Sequence, residues 1–182
     1  NKIVIGYVGT HGMAHNLDFI INSAKKINRK DIHFLFVGDG AMKSHLVALA
    51  KKHKLQNVTF EKSVQRNEVD KYLALSDISL INLKKDKAFK KVIPSKIFEA
   101  SAMKIPVLLG VEGEAKKLVE KYHSGLCFKP NDEVDFINKL YILIENKTYT
   151  TFKNKALLLS QKFNRDILSD KMLSIIKSEI LK

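Results

Sequence analysis

The sequence is poor in residues that mark several common classes of protein. Its 182 residues include one cysteine, Cys127, and no tryptophan. A single thiol excludes an intrachain disulfide framework and a cysteine-based metal cluster, and it is typical of a reducing compartment. No apolar run approaches the length needed to span a bilayer. We therefore expect a globular domain of the cytoplasm, with Cys127 packed as a small apolar side chain.

Arginine is also scarce, although the chain is strongly basic. The formal net charge is +13, yet only Arg29, Arg66 and Arg165 among the 32 basic residues are arginine. Specific readers of nucleic acid use arginine for bidentate contacts to guanine and phosphate. Lysine is scattered along every predicted helix. This pattern favours solvated helix faces, with attraction to an anionic membrane or a phosphorylated acceptor as the weaker interpretation.

Apolar runs alternate with amphipathic segments along the chain. Short apolar runs predict six strands, at about 3–8, 32–37, 58–61, 78–83, 106–109 and 125–128. Helical spacing of apolar residues predicts helices that include about 16–27, 67–74, 95–103, 133–146, 150–162 and 165–181. This alternation predicts an α/β fold with a doubly wound, parallel, six-stranded sheet of the Rossmann-like type. Ligands of such sheets bind outside the carboxyl ends of the strands.

The stretch VIPSKIFEASAMKIPV (92–107) is the most informative part of the chain. Pro94 fits the first turn of a helix, and Ser95 brings a hydroxyl near the unpaired amides of that turn. Lys96 adds positive charge, and Glu99 lies one turn along the face of Ser95. A helix start suits an anion, and a carboxylate beside it suits a ribose diol. The stretch therefore fits a nucleoside diphosphate, and an ordinary capped helix with a solvated glutamate explains it about equally well.

The loop after the first strand contains glycines but no standard nucleotide-binding pattern. Gly6, Gly9 and Gly12 give G-x-x-G-x-x-G and not the dinucleotide fingerprint, and no P-loop occurs. A glycine turn that brings backbone amides near a phosphate remains. His11 and His15 lie four residues apart, but no third ligand is evident, so we favour loop histidines over a metal pair. We expect neither a metal nor a cofactor.

Several long segments, in a fixed order, carry a family resemblance. They are GYVGTHGMAHNLDFIINSAKKI, FLFVGDGAMKSHL, NVTFEKSVQRNEVDKYLALSDISLI, VIPSKIFEASAMKIPVLLGVEGEAKKLVEKYHSGLCFKPND and the tail NRDILSDKML. Together they resemble the C-terminal domain of the GT-B glycosyltransferases of glycosyltransferase family 4. The nearest branch contains bacterial enzymes that make surface polysaccharide, including transferases of the N-acetylfucosamine type. The segment PSKIFE with the strand KIPV is the most specific part.

The resemblance implies transfer of a sugar from a nucleotide donor, with a UDP-sugar expected, retention of anomeric configuration and no metal. In this family the C-terminal half binds the donor, and the N-terminal half mostly binds the acceptor. We therefore expect residues 1–182 to form a single domain that is a fragment of a longer chain and is inactive alone. Residues 165–181 match a helix that crosses back toward the other half. The expected acceptor is a glycan or a polyprenyl-linked sugar, reached at the inner face of the cytoplasmic membrane.

The resemblance also implies roles for individual positions. The donor-binding positions are Gly9, Thr10, Lys62, Ser63, Val64, Pro94, Ser95, Lys96 and Glu99. Gly9 and Thr10 match the glycine loop beside the phosphates, and residues 62–64 fall where the backbone meets the base. Glu99 matches the glutamate that holds the donor ribose. The helix start at 94–96 receives the diphosphate, and Lys96 is the candidate catalytic residue because its charge can stabilise the leaving diphosphate.

The chain departs from the family pattern at two places. The family's pair of glutamates would need an acid at position 91, where this chain has Lys91, and the usual Arg/Lys pair after the glycine loop is replaced by residues 11–16. The branch with a P-S-K helix start commonly lacks the first glutamate, so Lys91 does not indicate inactivation. Lys96, or Lys90 with Lys91, are the candidates for the missing positive charge.

Two other functions remain open from the sequence. One is a half of a sugar-nucleotide epimerase, which keeps the architecture but fits the family segments less well. The other is a basic, non-catalytic module that binds nucleic acid or an acidic partner. Scarce arginine and an aromatic content of 8% weaken the second alternative.

Overall fold

A computed structural model describes residues 2–180 of the chain. Its strands are β1 (Ile3–Val8), β2 (Ile32–Val37), β3 (Val58–Glu61), β4 (Ile78–Asn82), β5 (Val107–Gly110) and β6 (Gly125–Cys127). Its α-helices are α1 (Leu17–Ala24), α2 (Lys43–Lys52), α3 (Val69–Ala74), α4 (Lys96–Ala102), α5 (Glu114–Tyr122), α6 (Glu133–Ile144), α7 (Asn146–Lys162) and α8 (Arg165–Ile180). Short 3-10 helices cover Met13–His15, Arg66–Glu68 and Lys87–Lys91.

The six strands form one parallel sheet in the order β3-β2-β1-β4-β5-β6. The chain moves outward from β1 to β3, returns to pair β4 with β1, and then moves outward the other way. The predicted doubly wound, Rossmann-like sheet is therefore confirmed. The order in which strands are added reverses between β1 and β4, and ligands of such sheets bind at that reversal.

Helices cover both faces of the sheet because alternate strand residues point to opposite faces. Leu80 and Leu108 belong to a core that β1 and β2 share with α1, α2 and α6. Their neighbours Ile81 and Leu109 belong to a second core, which α3, α4, α5 and α7 close. The four residues are at most 2% exposed, so both cores are dry at the centre of the sheet.

Several helix ends differ from the sequence prediction. α1 ends at Ala24 because the next amides bond to carbonyls three residues back instead of four. The amide of Ile27, for example, donates to the carbonyl of Ala24 at 3.3 Å. α7 begins at Asn146, four residues before the predicted start. The predicted end of the last helix, at residue 181, lies outside the described residues.

α8 differs from the other helices because all of its residues are exposed. Its exposed apolar side chains include Leu168, Met172 and Ile176. Within residues 2–180, none of the helices combines the length and the apolar character that a membrane span requires.

Candidate functional site

The candidate site lies at the carboxyl ends of β1 and β4, where the sheet reverses direction. β1 ends at Val8 and is followed by the glycine loop, which we define as residues 9–16. β4 ends at Asn82, and α4 begins fourteen residues later at Lys96. Both connections leave the same edge of the sheet because the strands are parallel.

The glycine loop is packed backbone to backbone against the loop after β2. A Cβ on Gly38 would overlap the carbonyl oxygen of Gly9, and one on Gly40 would lie 2.7 Å from the carbonyl oxygen of His11. Both glycines have positive φ, +140° and +153°. Only glycine allows this approach, because any side chain would separate the two loops.

Hydrogen bonds hold the two loops together. The amide of Gly9 donates to Val37 at 2.8 Å, and the amide of His11 donates to Asp39 at 2.8 Å. The amides of Thr10 and Gly12 have no hydrogen-bond partner among residues 2–180. The loop therefore keeps some donors for a ligand, whereas the amide of Gly9 is already used.

Lys43, at the start of α2, extends this packing to the sheet edge. Its ammonium group donates to the carbonyl oxygens of Gly38 and Glu61, each at 2.6 Å. Because these carbonyls end β2 and β3, one side chain joins the loops that follow both strands. The sequence analysis did not single out Lys43, and no local pattern distinguishes it from the other helical lysines.

His11 belongs to the glycine loop, and its side chain is completely buried. Its ring lies among those of Tyr7, Phe36 and Phe60, with centroid distances of 5.8 to 6.3 Å. Neither ring nitrogen has a hydrogen-bond partner within the described part of the chain. Burial, with a smaller contribution from the positive charge of Lys43, lowers the pKa of His11 from 6.5 to about 4. His11 is therefore neutral at pH 7.

Asn82 ties the end of β4 to the glycine loop. Its side-chain amide donates to the carbonyls of His15 at 3.0 Å and Asn16 at 3.2 Å. The loop after β6 contributes as well, because the Asn16 side chain donates to the Asn131 oxygen at 2.7 Å. A polar residue that ends a buried apolar strand is a signal by which sequence reasoning can find such a position.

Lys96 reaches from α4 to the glycine loop. A Cβ on Gly9 would overlap its ammonium group, which also lies 5.9 Å from the centre of the Tyr7 ring. His15 packs edge-on against the same ring at 5.8 Å. Burial and then the charge of Lys96 lower the pKa of His15. Gly9, Lys96 and His15 therefore form one positively charged corner, although 87 residues separate Gly9 from Lys96 in sequence.

The other predicted positions on this helix face solvent. Ser95 and Glu99 are exposed, and Pro94 is half-buried. The carbonyls of Pro94 and Ser95 accept the first helical hydrogen bonds, whereas the Ser95 hydroxyl makes no capping bond. The hydroxyl of Ser95 is therefore not used as a helix cap in this structure. The carboxylate of Glu99 has no hydrogen-bond or ion-pair partner in the described chain.

The predicted base-binding segment lies further along the same sheet edge. Lys62 and Ser63 are exposed and Val64 is half-buried, directly after β3. β2 separates this segment from β1. The structure therefore brings Gly9, Thr10 and Lys96 together, and it leaves residues 62–64 on the rim beside them.

The site has no evident place for a metal ion within residues 2–180. No group of three or more His, Cys, Asp or Glu side chains there is arranged to hold one. The arrangement offers instead an ammonium group, backbone amides and a free carboxylate.

Residues 1–163 match the family described as glycosyl transferases group 1. The chain is similar to the protein of Bacillus subtilis (strain 168) described as teichuronic acid biosynthesis glycosyltransferase TuaH. The identity is 31% over 135 residues, which are 74% of this chain and 33% of that protein. It is also similar to the protein of Escherichia coli (strain K12) described as colanic acid biosynthesis glycosyl transferase WcaI, with 28% identity over 122 residues, covering 67% and 28%.

The fold is similar to that of Anabaena Alr3699/HepE, whose crystal structure is a complex with UDP. The TM-score is 0.83 at 19% identity, over 98% of this chain and 49% of that one. The chain thus spans about a third or less of the two curated relatives and about half of HepE. The predicted GT-B resemblance is confirmed, whereas family 4 and the specific branch stay predictions. Because residues 1–163 match the glycosyl transferases group 1 family, the chain belongs to that family.

Proposed function

We propose that the chain is the donor-binding half of a retaining glycosyltransferase of cell-surface polysaccharide synthesis. The donor would be a UDP-sugar and the acceptor a glycan or a lipid-linked sugar. The observation that carries this proposal is the contact of Lys96 with Gly9 at the point where the sheet reverses. The described roles of TuaH and WcaI and the UDP in HepE support it.

The donor would lie across the carboxyl edge of the sheet. Its diphosphate would meet Lys96 and the amides of Thr10 and Gly12, which lack protein partners among residues 2–180. Its ribose would meet Glu99, whose exposed carboxylate can accept both hydroxyl protons of a diol. The base would lie toward residues 62–64. A single extended ligand can therefore use all of the predicted positions along one edge.

The chemical role of this half is electrostatic. When the bond between the sugar and the diphosphate breaks, negative charge grows on the leaving diphosphate. The ammonium group of Lys96 stabilises that charge, and because the side chain is half-buried against Tyr7 it is already positioned before the reaction. Removal of one such preorganised donor typically raises an enzyme's barrier by about 2.7–4 kcal/mol.

Membership of a glycosyltransferase family favours this function over the epimerase half. The basic surface keeps the nucleic-acid alternative testable. Affinity for nucleic acid falls steeply with salt, because lysine contacts to phosphates release counterions. A nucleotide in a pocket responds far less to salt.

The test is a calorimetric titration of UDP, GDP and ADP, with Glu99→Ala alongside. We expect selective binding of UDP that is lost in the variant and kept in Glu120→Ala, which removes an exposed glutamate of α5. Preference for GDP or ADP would contradict the assignment of the base. Absence of binding by this chain and by the full-length protein would overturn the proposal.

The chain alone should transfer no sugar, because it supplies only the donor side of the cleft. The full-length protein would work at the inner face of the cytoplasmic membrane, where lipid-linked acceptors are held. Turnover by residues 1–182 alone would contradict the division into a donor half and an acceptor half.

A further inference from the structure

We propose that Lys43 is a positioning residue that sets the preference of the donor site for its base. This inference rests on the proposed function, because it concerns the place where the base of the nucleotide would lie. Lys43 begins α2 and lies outside the predicted donor-binding positions. It acts through the backbone around it and not through a contact with the transferred sugar.

The ammonium group of Lys43 lies where a helix by itself disfavours it. The N-terminal end of a helix carries partial positive charge, which attracts acidic side chains and repels lysine. The first turn of α2 contains no acidic residue, and Lys43 has no ion-pair partner within residues 2–180. Its position is explained by the two hydrogen bonds of 2.6 Å that it donates to the carbonyl oxygens of Gly38 and Glu61. Because the donor is charged, these bonds are stronger than those between neutral groups.

The carbonyl of Glu61 is the point from which residues 62–64, the base segment, leave the sheet. β3 lies at the edge of the sheet and pairs with β2 only. Beyond Glu61, the amides of the base segment have no hydrogen-bond partner in the described part of the chain. The amide of Gly38 also donates to the Glu61 carbonyl, but at 3.4 Å, which is long for such a bond. Lys43 therefore supplies the short bond that fixes where the base segment starts.

The other carbonyl joins the base segment to the phosphate side of the site. Gly38 packs so closely against the glycine loop that a Cβ on it would overlap the carbonyl oxygen of Gly9. Lys43 therefore sets the spacing between the base segment and the glycine loop, where the diphosphate would bind. A nucleotide spans a limited distance between its diphosphate and its base. A site with this spacing already set binds it without the cost of first ordering a loop.

The base segment offers backbone groups that can distinguish one base from another. Its three amides are unpaired among the described residues, and Lys62 and Ser63 are exposed. Uracil, guanine and adenine differ in the arrangement of donors and acceptors along their polar edges. Groups held in place reject a base that leaves them unpaired. A mobile segment would instead bind the three nucleotides through the ribose and diphosphate that they share.

The test measures the affinities of UDP and ADP by calorimetry in the parent protein and in Lys43→Met. The two nucleotides differ only in the base, so the ratio of their affinities reports on the base segment. We expect UDP binding to weaken roughly tenfold and ADP binding less than about twofold, because the preorganisation that is lost serves the base. Lys51→Met removes an exposed lysine further along α2 and should leave both affinities unchanged. Lys43→Arg keeps the charge and several donors, and it should restore most of the preference for UDP.

A second measurement needs no nucleotide. NMR relaxation reports motion of backbone amides on the picosecond to nanosecond timescale. In Lys43→Met, and to a smaller degree in Lys43→Gln, the amides of the base segment should gain such motion, whereas those of the glycine loop should not. Equal gains in the two segments would indicate general loosening of the fold and would overturn the positioning role.

The calorimetric outcomes separate this inference from the proposed function. Parallel losses of UDP and ADP affinity in Lys43→Met would overturn the positioning role, because they indicate a general loss of structure. An unchanged ratio, with UDP binding still lost in Glu99→Ala, would overturn this inference and leave the proposed function standing. Absence of nucleotide binding by this chain and by the full-length protein would overturn both.

Discussion

The glycine loop and the lysine loop, residues 84–93, follow neighbouring strands at one edge of the sheet, yet they are built in opposite ways. The glycine loop is fixed by backbone contacts with the loop after β2 and contains a buried imidazole, that of His11. The lysine loop is exposed along almost its whole length. It is held by the cap at Asp86, the ring of Phe89, the ion pair of Lys90 with Glu112, and backbone contacts of its two ends.

This difference shows that position in the topology does not determine rigidity. Both loops leave the sheet where its direction reverses, and each is faced by glycine with positive φ: Gly38 and Gly40 lie against the glycine loop, and Gly113 lies against the lysine loop. Gly38 and Gly40 allow the two backbones to touch over several residues, and that contact buries polar groups of the glycine loop such as His11. The lysine loop meets the backbone of Gly113 at Lys90 and that of Ala14 at Lys84, and its side chains other than Phe89 stay exposed.

The largest expected effect is a loss of stability when the backbone contact between Gly9 and Gly38 is disturbed. Gly38→Ala should lower the free energy of unfolding by about 3 kcal/mol or more, because its Cβ overlaps the Gly9 carbonyl and its φ is +140°. Urea unfolding measures this loss. Gly12→Ala is the matched control, since its Cβ would meet nothing closer than 3.6 Å and should cost under about 0.5 kcal/mol. Equal costs for the two variants would contradict the packing described for the loops.

The second prediction concerns the buried imidazole of His11. Its pKa is about 4 when folded, below the ordinary 6.5, so the unfolded chain binds the proton more readily between these values. Stability conferred by the neutral ring is therefore present above pH 6.5 and is lost as the pH falls to about 4, by roughly 3 kcal/mol.

His11→Leu should remove this part of the pH dependence, measured as unfolding free energy from pH 7 to pH 4. At pH 7 the variant should be no less stable, because two buried ring nitrogens without partners disappear. His45→Leu, which removes an exposed ring, should keep the dependence. An unchanged slope in His11→Leu would show that the ring is not the group that titrates.

The third prediction compares a lysine of the corner with a lysine of the open loop. Lys96→Met should weaken UDP binding by roughly tenfold to a hundredfold, since a charged donor to the diphosphate is lost. Lys91→Met should change the affinity little, because Lys91 is exposed and makes no contact with the glycine loop among the described residues. Calorimetry measures both. Comparable losses would assign the diphosphate to the lysine loop as well.

The smallest effect is expected where the lysine loop is capped. Asp86→Ala should lower the unfolding free energy by less than about 1 kcal/mol, because the lost hydrogen bond is exposed. Cleavage by trypsin within the loop should become faster. Asp132→Ala removes the equivalent cap of α6, whose carboxylate accepts from the Asp135 amide at 3.0 Å, and should cost about 1 kcal/mol without exposing the lysine loop. A change in cleavage at the lysine loop in Asp132→Ala would contradict this separation.

The sheet was predictable from the sequence because each strand is specified by a pattern of a few consecutive residues. Continuous apolar runs such as IHFLFV require burial on both faces, and the helices between them require a parallel arrangement. Details of the helices were less predictable. Apolar spacing predicts Ala102 on the buried side of α4, but the structure exposes Ala102 and buries Ala100 and Ser101 against the sheet and α7. The start of α7 was missed because its first turns are rich in threonine, a poor helix former, and packing of Tyr149 and Phe152 overrides that preference.

The candidate site was predictable only in part. Its positions came from family resemblance, and the geometry that joins Lys96 to Gly9 depends on contacts between distant segments. The burial of His11 has the same origin, since it needs Gly38 and Gly40 in the next loop. A histidine in a short loop that contains glycine gives no local sign of its surroundings, so the sequence indicated only a loop residue there.

The touching backbones at Gly9 and Gly38 also decide where this chain tolerates redesign. An inserted residue in the loop after β2 would push two main chains apart and disturb the strands behind them. The exposed residues 85–88 can instead be exchanged or labelled while β1 and β2 keep their register, because Phe89 and the contact of Lys90 with Gly113 stay in place. For engineering at this edge of the sheet, new sequence belongs in the exposed part of the lysine loop, and the glycine loop is best left unchanged.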